Sequence, residues 1–169
     1  MSKLFRERQE KMQQILECLI EESARGTPII VEGKKDLETL RVLGVQGEIV
    51  MAKTGGKSRL DLISEIEKTA GKEVILLLDF DRRGREWTAI LRQSLEKARI
   101  KANVTFRREL LRFAGKELKD VEGLATYLQT LSEKTSWRLN AMRARDRSRG
   151  KCSLSKGEFE GTRRNVGKP

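Results

Sequence analysis

The apolar positions of this chain divide it into one long helix and a series of strand-like runs. Residues 3–24 carry apolar side chains at the spacing of an amphipathic helix, among them Met12, Leu16 and Leu19. Gly26 follows this pattern and is expected to end the helix. Three short apolar runs, PIIVEG, EIVMAK and EVILLLDFD, come next, and each leads through a loop into a segment with helical spacing.

This alternation of strands and helices predicts an α/β fold with a mostly parallel four-stranded sheet. Strands that alternate with helices of about 10–15 residues form βαβ units. Continuous apolar runs are typical of strands that are covered on both faces. A weaker strand, ANVTF, and a final helix, KDVEGLATYLQTLSEK, complete the prediction. In the helix after the second strand, we expect Leu60, Ile63 and Ile66 to point inward.

The apolar periodicity fades near Ser136, and this suggests three parts. They are an N-terminal amphipathic helix (1–26), a folded domain (27–135) and a basic C-terminal tail (136–169) that we expect to order only with a partner. The net charge of the chain is +11. Ten basic and three acidic residues lie from Arg138 onward, so most of the excess positive charge belongs to the tail. Such a charge favours a polyanionic partner, nucleic acid before anionic membrane.

Composition excludes several classes of protein. The chain has no histidine, so the usual zinc sites and histidine-based acid–base catalysis are ruled out. The longest apolar run is VILLL, and we expect no segment to span a bilayer. The N-terminal stretch MSKLFRERQEKMQQ is charged where a signal peptide requires an apolar stretch, so we expect a cytoplasmic protein.

Acidic side chains follow two of the predicted strands. Glu32 comes directly after PIIV, and Asp79 and Asp81 come after VILLL. The carboxyl ends of parallel strands meet at one edge of a sheet, so three carboxylates converge there if the two strands are neighbours. Such a cluster repels itself unless a cation neutralises it. We therefore predict that Glu32, Asp79 and Asp81 bind Mg²⁺, with Mn²⁺ as the alternative.

The two acidic motifs, IIVEGKKD and LLLDFDRRGRE, resemble those of the toprim domain. In that family a glutamate ends the first strand and an Asp-x-Asp motif ends the third, which matches Glu32, Asp79 and Asp81. The resemblance covers roughly residues 27–131 and implies a three-layer Rossmann-like fold, a bound Mg²⁺ and catalytic roles for these three acids. VEGKKD is most similar to the bacterial ribosomal-RNA maturases and the small stand-alone archaeal toprim proteins. A topoisomerase is not expected, because Tyr127, the single tyrosine, lies in a predicted packing helix.

Basic residues near the acids and in the tail are candidates for binding nucleic-acid phosphate. MAKTGGKS is similar to a P-loop but has Met51 where that motif requires glycine, so no nucleotide cofactor is expected. Its glycines suit a loop that approaches phosphate, although its lysines could equally be ordinary surface residues. The predicted nucleic-acid-binding residues are Lys34, Lys35, Lys53, Lys57, Arg82, Arg83, Arg85, Arg143, Arg145, Arg147, Arg149 and Lys151.

Two functions are compatible with these residues. The first is a Mg²⁺-dependent nuclease or other phosphoryl-transfer enzyme acting on structured RNA, in which Glu32 is a general acid–base or a metal ligand. The second is a non-catalytic module that clamps RNA, with the ribosome as one candidate partner. RNA is favoured over DNA, and a role in DNA repair or priming is the weaker third interpretation.

Overall fold

We describe the protein from a computed structural model, which defines residues 3–53, 55–69 and 71–132. A four-stranded sheet forms its centre, in the order β2-β1-β3-β4, and every neighbouring pair of strands is parallel. The α/β fold with a four-stranded sheet is therefore confirmed. The strands are β1 (Ile29–Val31), β2 (Ile49–Met51), β3 (Glu73–Leu76) and β4 (Lys101–Asn103).

Within the described residues, six helices surround the sheet, with a short 3₁₀ turn at Gly115–Glu117 between the last two. In the described ranges, no helix is both long enough and apolar enough to cross a membrane. The helices are α1 (Lys3–Ala24), α2 (Lys34–Leu43), α3 (Arg59–Thr69), α4 (Arg82–Lys97), α5 (Thr105–Ala114) and α6 (Glu122–Ser132).

The helices cover both faces of the sheet, which gives the expected three layers. Ile29 and Val31 point from β1 into a cluster with α1, α2, α5 and α6. Ile30 points the opposite way, into a cluster with α3 and α4. Both faces of β1 are fully buried, as its continuous apolar sequence predicts.

The end of the predicted fourth strand was wrong. β4 stops at Asn103, and Thr105 and Phe106, which were assigned to a strand, lie in α5. The side-chain carbonyl of Asn103 accepts a hydrogen bond from the backbone N–H of Thr105 at 3.0 Å, which satisfies a donor at the start of the helix. Phe106 and Leu110 then share one helical face, and α5 packs against α1.

The predicted inward face of α3 was wrong at one position. Leu62 and Ile66 are buried and Ile63 is partly buried against them, but Leu60 is 77% exposed. Two residues of α-helix turn the side chain through roughly 200°. Leu60 therefore points away from the face that Leu62 buries.

Candidate metal centre

Glu32 and Asp79 lie side by side at the carboxyl edge of the sheet. β1 and β3 are direct neighbours, with Ile30 of β1 in register with Leu76 of β3. The pairing continues past β3, because the Leu77 N–H donates to the Ile30 carbonyl oxygen at 2.8 Å. This adjacency carries the two carboxyl groups into a shared hydrogen bond.

The shared hydrogen bond divides the two acids into a protonated and an ionised member. Burial, the hydrogen bond to Glu32 and the negative charges of Glu32, Asp36 and Asp81 raise the pKa of Asp79 to about 7. Burial also acts to raise the pKa of Glu32, but hydrogen bonds from Lys53 and Asp79, with the charge of Lys53, outweigh it and lower that pKa. The proton between the two carboxyl groups therefore belongs to Asp79.

Asp79 has one oxygen that remains unsatisfied. Its Oδ1 atom is buried and has no hydrogen-bond partner in the described structure, and buried carboxylate oxygens rarely remain so. A divalent cation would be a partner for that oxygen, and it would replace the proton between the two acids. The described residues contain no ready-made group of three or more ligands, but Mg²⁺ is commonly held by one or two carboxylates with water in its other positions. Glu32 and Asp79 fit such a site.

Asp81 is exposed and begins α4. Its Oδ1 atom accepts a hydrogen bond from the Gly84 N–H at 2.7 Å, which makes Asp81 the N-cap of the helix. Gly84 packs so closely against the Asp79 backbone that a Cβ atom would lie 2.6 Å from the Asp79 carbonyl carbon. The negative charge of Asp81 adds to the raised pKa of Asp79 and partly opposes the lowering of the Glu32 pKa. The Asp81 side chain therefore lies within electrostatic reach of the pair.

Asp36 is a buried acid beside the centre that was not predicted as a site residue. Its Oδ2 atom accepts a hydrogen bond from the Gly33 N–H at 2.9 Å, as part of the N-terminal cap of α2. Burial raises the pKa of Asp36, and the charges of Glu32, Asp120 and Glu122 add to this against the Gly33 hydrogen bond. The acidic region thus extends from β1 to the start of α6. The sequence feature that could have identified Asp36 is its position three residues after Gly33, the N-cap of α2.

Arg107 is a second residue that sequence reasoning missed. It is 7% exposed, and it donates hydrogen bonds to the backbone carbonyls of Leu78 (3.2 Å) and Asp79 (2.6 Å). Its guanidinium carbon also lies 5.8 Å from the centre of the Phe80 ring. Arg107 therefore holds the backbone that presents Asp79. Arg107 belongs to α5, a helix that the sequence did not predict. Nothing in the local sequence therefore indicated that it lies beside Asp79.

Most of the predicted phosphate-binding cations in the described range are paired with acids. Arg83 and Arg85 are exposed and form no ion pair within residues 3–132 as described. The predicted cations at 143, 145, 147, 149 and 151 lie outside the described residues. The ion pairs are Lys34 with Glu38 (3.9 Å), Lys35 with Glu122 (3.9 Å), Arg82 with Glu86 (3.1 Å), Lys53 with Glu32, and Lys57 with Glu65.

Known proteins are similar to this chain in sequence and in fold. The model of the Toprim domain family matches residues 27–109. A UPF0292 protein of Methanosarcina barkeri is 37% identical over 136 residues, covering 79% of this chain and 92% of the relative. A UPF0292 protein of Methanocaldococcus jannaschii is 40% identical over 120 residues, covering 70% and 91%. A solved structure from Aquifex aeolicus superposes with a TM-score of 0.54 at 22% identity, covering 63% of this chain and 93% of that one, which supports the fold.

Proposed function

Because the chain belongs to the archaeal UPF0292 family and contains a Toprim domain, we propose that it is a Mg²⁺-dependent nuclease that cleaves structured RNA. Membership of the Toprim family implies a metal-dependent function connected with nucleic acid. The preference for RNA rests on the likeness of VEGKKD to the ribosomal-RNA maturases and on the net charge of +11. We expect the protein to act in the cytoplasm.

The observation that carries the proposal is the Glu32–Asp79 pair. Two carboxyl groups meet at the ends of adjacent strands, where each shifts the pKa of the other, and Asp79 has a buried oxygen without a partner in the described structure. This arrangement is unfavourable for folding, since both acids would be better solvated apart. Toprim domains generally bind Mg²⁺ through acidic residues, and a cation at this pair would remove the cost.

The residues of the centre suit phosphoryl transfer. Glu32 and Asp79 would hold Mg²⁺, which when bound stabilises charge that develops on phosphoryl oxygens. The lowered pKa of Glu32 keeps it ionised at neutral pH, so it can serve either as a metal ligand or as the acceptor of a proton from an attacking water. Arg85, exposed and without an ion pair in the described structure, is available to neutralise a flanking phosphate.

The proposal is tested with purified protein and a panel of structured RNAs. We expect cleavage in Mg²⁺ and none in EDTA. Glu32→Gln and Asp79→Asn are each expected to lower the cleavage rate at least about 100-fold while RNA binding persists. Glu67→Gln, which neutralises an exposed acid on α3, should leave the rate unchanged. Cleavage that continues in EDTA, or in Asp79→Asn, would contradict the proposal.

The Glu32–Lys53 ion pair favours a second candidate function, a non-catalytic RNA-binding protein that could associate with the ribosome. The Lys53 ammonium neutralises Glu32 directly, which would reduce the need for a catalytic ion. In that case the protein would bind RNA without cleaving it, and removal of residues 138–169 would abolish binding. Cleavage that depends on Asp79 would exclude this candidate.

A further inference from the structure

Helices α4 and α5 enclose a groove on the surface of the protein. Its volume is about 580 Å³, and side chains from both helices line it. Four of its ten lining residues are arginines, and apolar side chains lie between them. The principal lining residues are Arg85, Arg92, Arg107, Arg108, Val104 and Leu111.

The groove carries positive charge that its own lining residues neutralise only in part. Glu96 is the single acid among the lining residues, and it pairs with Arg92 at 3.2 Å. Arg85 and Arg108 form no ion pair within the described residues, and Arg107 bonds to neutral carbonyl groups. The negative charge of Asp81 stabilises the Arg107 guanidinium, and the positive charge of the neighbouring Arg85 opposes it. An anion between the two helices would offset the repulsion between the two arginines.

One end of the groove lies beside the backbone that carries the candidate metal centre. Arg107, which lines it, donates to the Asp79 carbonyl oxygen at 2.6 Å. Arg85 lies in the first turn of α4, after the Asp81 cap. Its backbone N–H donates to the Asp81 carbonyl oxygen at 3.0 Å. Phosphates bound along the groove would therefore lie near the backbone that carries Asp79 and Asp81.

The shape and chemistry of the groove favour a single strand over a duplex. Val104 and Leu111 provide apolar surface between the arginines, and such surface offers no partner to a second row of phosphates. A duplex is stiff and exposes its phosphates on the outside, so it would contact the exposed arginines without following the surface between the two helices. A flexible strand can bend into the groove.

We propose that the α4–α5 groove binds the phosphate backbone of a single-stranded segment of the RNA and guides it to the metal centre. The inference rests on the proposed function for the identity of the nucleic acid and for the direction of the strand. Arg85, Arg92 and Arg108, which are exposed, are its phosphate contacts. Arg92 and Arg108 were not predicted from the sequence.

The test is binding of a fluorescein-labelled single-stranded RNA of about ten nucleotides, measured by fluorescence anisotropy in EDTA with the full chain. The double variant Arg92→Glu and Arg108→Glu should bind at least about tenfold more weakly than the natural protein. The matched control is Lys68→Glu with Lys72→Glu, two exposed cations at the opposite edge of the sheet. It has the same net charge, and its affinity should change by less than about threefold.

The salt dependence and a milder pair of variants make the test independent of misfolding. Two lost phosphate contacts should lower the slope of log affinity against log salt by about 1.4. The double variant Arg92→Gln and Arg108→Gln should also bind RNA more weakly than its control, the double variant Lys68→Gln and Lys72→Gln. Equal weakening of RNA binding in the groove and control variants would overturn the proposal. A blunt-ended duplex that competes for the protein as strongly as the single strand would overturn it too.

The outcomes separate this inference from the proposed nuclease. Weaker binding in the groove variants of a protein that cleaves no RNA would support the groove and reject the nuclease. Normal binding in the groove variants, together with Mg²⁺-dependent cleavage by the natural protein, would reject the groove and support the nuclease.

Discussion

Glu32 and Asp79 meet in a hydrogen bond just beyond the ends of the neighbouring strands β1 and β3, although both are acids. The bond exists because Asp79 is protonated at a pH where an ordinary aspartate is ionised. A proton and a metal cation therefore compete for the same place between the two side chains. This competition makes the centre sensitive to pH and to magnesium together.

Metal-free protein should lose stability as the pH rises from about 4 to 8. The pKa of Asp79 is about 7 in the folded chain, against an ordinary value of 3.8. Between these values the folded state binds more protons than the unfolded state, so each step upward in pH favours unfolding. At pH 8, Asp79→Asn should raise the free energy of unfolding by on the order of 2 kcal/mol. Urea denaturation in EDTA measures both effects.

Magnesium provides the control for this prediction. Mg²⁺ at pH 8 should raise the unfolding midpoint of the natural protein and have a much smaller effect on Asp79→Asn, which lacks one ligand. At pH 4 the natural protein and the variant should be about equally stable. A stability that does not change with pH in EDTA would show that Asp79 ionises normally.

Removal of the Lys53 ammonium should strengthen metal binding. Lys53 pairs with Glu32, so a cation that uses Glu32 must displace it. Exposed ion pairs are worth up to about 1 kcal/mol, so Lys53→Ala should bind Mn²⁺ about two- to fivefold more tightly. Titration followed by electron paramagnetic resonance of the free ion measures this affinity.

Lys57→Ala is the matched control for this effect. Lys57 belongs to the same loop but pairs with Glu65 on α3, so its removal should leave Mn²⁺ affinity unchanged. Weaker binding in Lys53→Ala would instead mean that Lys53 supports the bound state.

The convergence of the acids could be predicted only in part. The apolar runs identified the strands that Glu32 and Asp79 follow, but whether the two meet depends on strand order, which is a tertiary property. The same order places β2 beside β1, where the Lys53 N–H donates to the Glu32 carbonyl oxygen at 2.9 Å. The pairing of Lys53 with Glu32 was therefore hidden, and Lys53 was assigned to phosphate.

Helix α5 and its contacts could not be predicted from local pattern. Thr105 and Phe106 are β-branched or aromatic residues that favour strands, and the capping bond from Asn103 and packing against α1 override that preference. Arg107 follows directly in the chain. Its buried position depends on the same tertiary contacts, so neither its role beside Asp79 nor the α4–α5 groove was visible in the sequence.

Gly84→Ala should destabilise the protein, although alanine normally favours helices. The new Cβ would collide with the Asp79 carbonyl group, and relief requires movement of the β3 end or of α4. We expect the free energy of unfolding to fall by about 2 kcal/mol or more. Gly71→Ala is the control, because its Cβ would meet no atom within 4 Å. Equal urea midpoints for the two variants would show that the close approach of α4 to Asp79 does not occur.

Replacement of Arg107 by methionine should lower both stability and metal affinity. The guanidinium donates to the carbonyls of Leu78 and Asp79 from a buried position, and hydrogen bonds from a charged group contribute about 1.5–3 kcal/mol. Arg107→Met should therefore cost about 2–3 kcal/mol in urea denaturation, and Mn²⁺ affinity should fall because Asp79 is less firmly held. Arg107→Lys should recover little, since one ammonium cannot reproduce the planar contact with both carbonyls. Arg108→Met changes the exposed neighbour and should stay within about 0.5 kcal/mol of the natural protein. A loss of stability that is equal in Arg107→Met and Arg108→Met would contradict the buried role of Arg107.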